Sequence, residues 1–471
     1  MWWFTPGNAG SCVSSAIASE TVASLWAEPS IAPLAGESPQ GLPSDGDVVI
    51  IGGGFSGLWT AYYLAKAAPS RAITIIEAEH IGFGASGRNG GWCMGWAEGI
   101  DALLHRAETR PIGLRWAKAM HATLSEIEQV VVSEGIDCDF DRGGTITAAT
   151  NPAQYRRLQA STQQMLAWGF DPDDFVWLSP DEALRRVQIR DCLGAQFTPH
   201  CAAIHPGKLV RGLASVLRAL GVQIVEGTRV LDVGANAIET DRGAVRFQTL
   251  IRATEAYTQT MKGHKDLVLP VVSAMVATEP LSNHALDSIG LSDRATFCDG
   301  RRVTVYGQRT NDNRIAFGAR ARYLGSQSIP AQFPWTDPIF SEVEQALFSL
   351  LPQLQNQEIS HRWGGVLGIS PRWHLEVAFD ERTQKGHLGG YVGEGVGASN
   401  FAARCLVEKM LTRTSEWSDA PFMVERAKRW VPEPIRSVGV AIARGAAERA
   451  DRTEASGRSS RFWGPLFDAL T

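Results

Sequence analysis

Val48-Val49-Ile50-Ile51 is an apolar, wholly β-branched run with no polar alternation. Such runs form strands buried on both faces, as in a parallel sheet. The run stops at Gly52, and a helical apolar pattern extends from Ser56 to about Ala67. Pro69-Ser70 breaks that helix, and Ala72-Ile73-Thr74-Ile75-Ile76 reads as a second buried strand. These three elements predict a βαβ unit. Helical patterns return over Gly113 to about Ser133, over Pro152 to Trp168, and after His205-Pro206-Gly207 as far as Leu220. Ser179-Pro180-Asp181-Glu182 has the form of a helix start with acid in its first turn. Gly143 to Thr147 and Gly221 to Val225 read as strands. From about Pro270 to Gly318 the apolar runs are short and separated by turns, as in an antiparallel or mixed sheet. Six glycines between Gly386 and Gly397 precede a helix expected over Ala398 to Leu411.

A chain of 471 residues, 44% hydrophobic, exceeds one compact core and fits two domains. The net charge of −5 argues against a nucleic-acid surface. No uncharged apolar run reaches the roughly 18 residues of a membrane span. The seven cysteines include no CxxC pair, which argues against a disulfide framework or zinc site and for a reducing, cytoplasmic compartment, with no metal expected. The lead-in to about Gly46 carries Pro29, Pro33, Pro39 and Pro43 and reads as extended. Gly7 to Thr21 lacks a basic n-region and a long apolar h-region, so it reads as a loose extension and not a signal peptide. The last sixty residues are Arg-rich and are expected as helices packed on the outside.

Gly52, Gly54 and Gly57 form GxGxxG directly between the first strand and its helix. The first glycine permits the turn, the second lets backbone approach a pyrophosphate, and the third lets helix and strand pack closely. The helix N-terminus adds free N–H groups and a positive dipole end. Phe55 and Ser56 lie in that turn, and Glu77 and Ala78 close the second strand. Glu77 stands 20 residues after Gly57, where a carboxylate accepts from ribose hydroxyls and repels a 2′-phosphate. A second glycine-rich loop follows, with Gly84, Ala85, Ser86, Arg88, Asn89, Gly90 and Gly91. A nicotinamide site has no use for that loop; a flavin does, because its second phosphate and flat ring need close backbone approach.

Val48 to Trp92 resembles the D-amino acid oxidase superfamily of FAD enzymes, and most resembles its branch of γ-glutamylputrescine oxidase-like bacterial amine oxidases. The likeness rests on Ile51 to Ala61 and Gly82 to Trp92. Weaker matches occur at His205 to Leu209, Ala253 to Thr258, and Gly389 to Gly397. It covers about residues 25 to 412. It implies an α/β (α+β) fold: a discontinuous Rossmann-type FAD-binding domain (46–112, 196–258 and 362–412) and a substrate domain with a mixed, largely antiparallel sheet (113–195 and 259–361). An N-terminal extension (1–45) and a helical C-terminal tail (413–471) flank these. It also implies that Val230 meets adenine. The loop of Gly393, Glu394, Gly395, Val396 and Gly397 would then face the flavin's pyrimidine edge.

Relatives with covalent FAD use a His where Asn89 stands, or a late Cys; none lies between Cys298 and Cys405, so non-covalent FAD is implied. Ala316 falls where sarcosine oxidase-like relatives carry a lysine beneath the flavin, and Arg252 replaces an apolar residue. The implied chemistry is hydride transfer to flavin from the carbon beside an amine nitrogen. The product imine then hydrolyses, and molecular oxygen or another acceptor reoxidises the flavin. The partners implied are a small amine or amino acid and that acceptor, with no nucleic acid and no membrane. His361, Trp363 and Arg320 are the candidates for the substrate side, with Arg322, Tyr323, Trp92 and Trp96 near them. Two alternatives stand beside this reading: a flavin monooxygenase, whose Gly-Asp-Ala element is replaced here by Gly393-Glu394-Gly395, and an inactive flavin-binding subunit.

Overall fold

The computed structural model describes residues 24–27, 41–325 and 327–470. The first apolar run becomes the strand Asp45–Ile51, whose last four residues are buried. It lies inside a sheet ordered Glu376–Asp380, Lys385–Gly389, Gly243–Arg252, Asp45–Ile51, Ile73–Ile76, Gln223–Val225. All neighbours are parallel except the edge pair Glu376–Asp380 and Lys385–Gly389. Strands Val230–Val233 and Ala237–Thr240 extend it antiparallel from Gly243–Arg252. Helix Phe55–Ala67 packs on Pro206–Ala219 and on Gly395–Thr412. The last of these starts three residues before the expected Ala398.

Local chemistry sets several boundaries. The His205 ring caps helix Pro206–Ala219 by accepting from the Lys208 N–H at 3.1 Å. Ser179 and Glu182 close a reciprocal capping box on helix Pro180–Arg186. Asn151 caps Pro152–Trp168.

The second sheet runs Ile359–Ile369, Leu269–Thr278, Ile315–Tyr323, Val305–Arg309, Thr296–Asp299, Thr145–Ala148, Ala195–Thr198, Val176–Leu178. It is antiparallel except where Thr296–Asp299 meets Thr145–Ala148. Strand Ile359–Ile369 pairs along its length with Leu269–Thr278. Residues 362–369, expected with the dinucleotide-binding part, therefore belong to the second sheet, because ladder pairing continues across that boundary.

The tail forms helices Ile435–Ala455 and Trp463–Leu470. Glu454 is buried and pairs with Arg157 and Arg302, while Asp451 accepts from the N–H groups of Arg302 and Val303 at 2.9 Å each. Among the described residues, no helix is long and apolar enough to cross a membrane. Cys93, Cys138, Cys192, Cys201, Cys298 and Cys405 are free thiols.

One segment departs from the extended lead-in. Ser24 to Ala27 is docked, with Leu25 4% and Trp26 2% exposed. Trp26 packs edge-on against His205 and Trp363, with ring centroids 5.0 and 5.9 Å apart. Gly7 to Thr21 and Pro29, Pro33 and Pro39 lie outside the described residues.

Candidate active site

One cleft is lined by both sheets and by the loops between them. At one end lie Gly52, Gly54, Phe55, Ser56, Glu77, Ala78 and Val230; at the other lie Ser273, Tyr306, Arg320 and the loop Gly393 to Val396. Gly52 has φ +111°, and a Cβ there would strike the Ala253 carbonyl. Gly57 does not line the cleft: a Cβ there would fall on the Gly52 carbonyl oxygen, so its role is helix–strand approach. Glu77 accepts from the Gly53 N–H at 2.6 Å and from the Glu79 N–H at 3.0 Å, and burial raises its pKa.

The second loop is held from inside and from behind. Ser86 Oγ accepts from the Phe55 N–H at 2.9 Å, joining the two glycine-rich turns. The Asn89 amide donates to the Ala85 and Ser86 carbonyls and accepts from the Gly91 N–H, so its side chain is committed within the loop. Three consecutive carbonyls face away from the cleft and are each bound. Ser24 Oγ donates to Gly87 O at 2.9 Å, Trp363 Nε1 to Arg88 O at 3.0 Å, and Trp26 Nε1 to Asn89 O at 2.7 Å. Gly84, Ala85, Ser86, Arg88, Asn89 and Gly90 line the cleft, whereas Gly91 does not and instead packs on Gln308.

Three expectations for the far end are corrected. Trp363 is 3% exposed and lies behind the loop, clustered with Leu25, Trp26, Met275, Ala277 and Ala316. His361, two residues earlier on the same strand, hydrogen-bonds Ser360 Oγ at 2.9 Å and does not line the cleft. Ala316 is fully buried in that cluster, so it too lies off the cleft. For Trp363 the physical reason is the cofactor loop, whose Arg88 carbonyl its indole holds from behind; for Ala316 it is the ring of Tyr306. It packs between Gly90 and Gly318, separating Ala316 from the chamber and leaving Arg320, four residues on, as the residue of that strand that faces it. Gly397 packs on the Met94 carbonyl and Trp96 on Phe170 and Phe175; neither lines the cleft, whereas Trp92 does. Arg322 pairs outward with Asp337, and the Tyr323 hydroxyl donates to Glu433.

The chamber roof contains Ser273 and Tyr306, not singled out from the sequence, beside Arg320, which was. The Tyr306 and Ser273 hydroxyls are hydrogen-bonded, and burial pushes the Tyr306 phenol up to about 12, so it stays neutral near pH 7. Arg320 donates to Val392 O at 2.7 Å and lies 3.7 Å from Glu98. Arg252 also acquires a reason. Its buried guanidinium donates to Thr258 Oγ1 at 2.7 Å, with Glu376 and Glu255 as the nearby negative charges. Glu255 lines the cleft, accepts from the Tyr391 N–H, and is pushed up to about 7 by burial.

This geometry defines a dinucleotide-binding oxidoreductase with a sheet-roofed reaction chamber. Residues 47–409 match the family described as DAO, FAD dependent oxidoreductase. The chain is 27% identical over 385 residues to a probable oxidoreductase OrdL of Haemophilus influenzae, covering 78% of this chain and 83% of that one. It is 28% identical over 411 residues to the γ-glutamylputrescine oxidoreductase of Escherichia coli, covering 84% and 91%. The glycine oxidase of Geobacillus kaustophilus superposes with a TM-score of 0.68 at 19% identity, covering 83% of this chain and all of that one. The chain belongs to the DAO family of FAD-dependent oxidoreductases.

The residues present fit FAD. The Arg88 guanidinium faces the cleft 4.4 Å above the Phe83 ring, and among the described residues it has no carboxylate ion-pair partner. A half-buried cation with no carboxylate paired to it is poorly compensated, and a pyrophosphate would supply a counter-ion. Glu77 offers a carboxylate at the adenosine end. Asn89 has no nucleophile for a covalent bond, and its amide is already engaged. Acid precipitation of the holoenzyme is therefore expected to leave all yellow colour in the supernatant; colour in the pellet would contradict this.

Proposed function

We propose that this enzyme oxidises a C–N bond of an amine or amino acid, giving an imine that water then hydrolyses. The observation that carries this reading is the continuity of the FAD-fitting cradle with a chamber roofed by Ser273, Tyr306 and Arg320. Bound FAD supplies the two-electron acceptor, and the protein's task is orientation and exclusion of water. Glu77, Arg88 and the loop Gly393 to Val396 are the residues we assign to holding FAD; Arg320 and Tyr306 are those we assign to the substrate. The Escherichia coli relative named for γ-glutamylputrescine supports a nitrogen-bearing substrate.

The test is anaerobic mixing with γ-glutamylputrescine, putrescine, glycine, sarcosine and proline, followed at the flavin band at roughly 450 nm. At least one is expected to bleach the flavin, and faster at higher pH, because only the neutral amine has the lone pair that supports hydride loss. Bleaching by NADPH instead would favour a monooxygenase. Silence towards every amine would leave a flavoprotein of other chemistry. Adding oxygen or a dye acceptor to the reduced enzyme then separates oxidase from dehydrogenase.

A further inference from the structure

Helix Ile435–Ala455 is fixed to the protein along its inner face. Val440 packs on the cluster of Leu269, Ile369 and Val392, and Ala446, Ala447 and Ala450 are buried. Arg436 pairs with Glu433 at 2.9 Å and with Asp266 at 3.2 Å. The outer face is apolar as well. Val431, just before the helix, and Ile435, Val438 and Ile442 on it are between 49% and 64% exposed. Of the eleven large apolar side chains exposed among the described residues, these are four and Phe462 is a fifth, so the exposure is concentrated in one region. Ile435, Val438 and Ile442 follow the spacing of a single helix face, and a Cβ on Gly439 beside them would meet nothing within 4 Å. The same spacing carried on reaches Arg449 and Arg452, both exposed, and exposed Lys428 and Arg429 precede Val431. Cations therefore stand at both ends of the stripe.

Charge decides what this face can meet. Between residues 426 and 467 the exposed charged side chains are Arg426, Lys428, Arg429, Arg449, Arg452, Arg458 and Arg461, and none is acidic. The acids of the same stretch are engaged: Glu433 with Arg436, Glu448 with Arg444, Asp451 on the N–H groups of Arg302 and Val303, and Glu454 with Arg157 and Arg302. The whole chain carries a net charge of −5, so this basic surface is a local feature. A second copy seated on the same face would set cation against cation. An apolar stripe bracketed by cations suits an anionic lipid surface instead. We propose that the outer face of helix Ile435–Ala455 seats the enzyme on an anionic bilayer surface. Val431, Ile435, Val438 and Ile442 enter the acyl boundary, while Lys428, Arg429, Arg449 and Arg452 meet headgroup phosphates. The helix lies on the membrane and does not cross it, since no helix among the described residues is long and apolar enough to do so. The expectation of no membrane partner is thereby narrowed to no membrane span. None of this depends on the amine reading.

The test is sedimentation of the full-length, FAD-loaded enzyme with vesicles of mixed phosphatidylglycerol and phosphatidylcholine, or of phosphatidylcholine alone. At low salt the wild type is expected to pellet with the mixed vesicles, and about tenfold or more weakly with phosphatidylcholine alone. It should be released as salt approaches about 1 M, where the Debye length falls to ~3 Å. Ile435→Ser combined with Ile442→Ser changes two exposed positions, so FAD content and unfolding temperature should hold. Its affinity for the mixed vesicles should fall about tenfold or more, from the lost apolar contact. Lys428→Gln combined with Arg449→Gln should lose most of the preference for phosphatidylglycerol. Should the isoleucine variant fold poorly, the charge variant carries the test alone. Wild-type enzyme that stays in the supernatant with mixed vesicles overturns the proposal, and so does pelleting that neither variant changes. Light scattering covers the rival occupant. A wild-type dimer that becomes a monomer in the isoleucine variant, with no vesicle binding, would assign the face to a second copy and overturn the lipid reading.

Discussion

Trp26→Ala is expected to release much of the bound FAD and to destabilise the fold by about 3–5 kcal/mol, the usual cost of truncating a buried tryptophan. The indole is 2% exposed and fills the space between His205, Trp363 and the cofactor loop. Its Nε1–H holds the Asn89 carbonyl, one of three consecutive carbonyls drawn back from the cleft. Without it the loop is free to turn a peptide over and present a carbonyl to the cofactor's phosphates, where an N–H is needed. Trp26→Phe separates the two effects. It keeps most of the volume and loses the donor, so FAD should bind a few-fold to about tenfold more weakly, from a hydrogen bond of roughly 1 kcal/mol. Denaturant titration and FAD binding to the apoprotein measure both. Normal FAD affinity in Trp26→Ala would reduce this segment to packing alone.

Glu77→Ala should weaken FAD binding by about ten- to a hundred-fold, the worth of one charge-assisted hydrogen bond of ~1.5–3 kcal/mol. The structure gives Glu77 a second role beside the ribose contact we assign to it. The same carboxylate takes the Gly53 N–H at 2.6 Å and so also shapes the first glycine-rich turn. Glu77→Gln keeps an acceptor but not the charge and should fall between. Full FAD occupancy in dilute Glu77→Ala would count against the adenosine end of the assignment.

The dinucleotide cradle was legible because it is local. Strand Asp45–Ile51, the GxGxxG turn, helix Phe55–Ala67 and Glu77 lie within one βαβ unit. Backbone geometry there demands glycine at positions close together in the chain. The helix starts at Pro152, Pro180 and Pro206 were legible for a similar reason, since cap residue and first turn adjoin. The mixed, largely antiparallel character of the second sheet also showed in its short apolar runs and turns.

The chamber was a different matter. Ser273, Tyr306 and Arg320 sit on three strands and Glu98 on a loop, and only ladder register brings Ser273 opposite Arg320 and Gly365. Nothing in the sequence near His361 or Trp363 says that the cofactor loop, through the Arg88 carbonyl, packs over Trp363, so nearness in sequence to Gly364-Gly365 misled. The pair Leu25-Trp26, the apolar spot next to a proline-rich stretch, was the one available hint of a docked segment. Whether such a pair is buried depends on a surface built from Ala316, Met275 and Trp363, all more than 200 residues away. The sequence by itself determined the elements and the cradle, because propensity, capping and glycine geometry act between neighbours. The tertiary structure alone decided which side chains of the second sheet line the chamber, because that follows from strand register and from what covers each face.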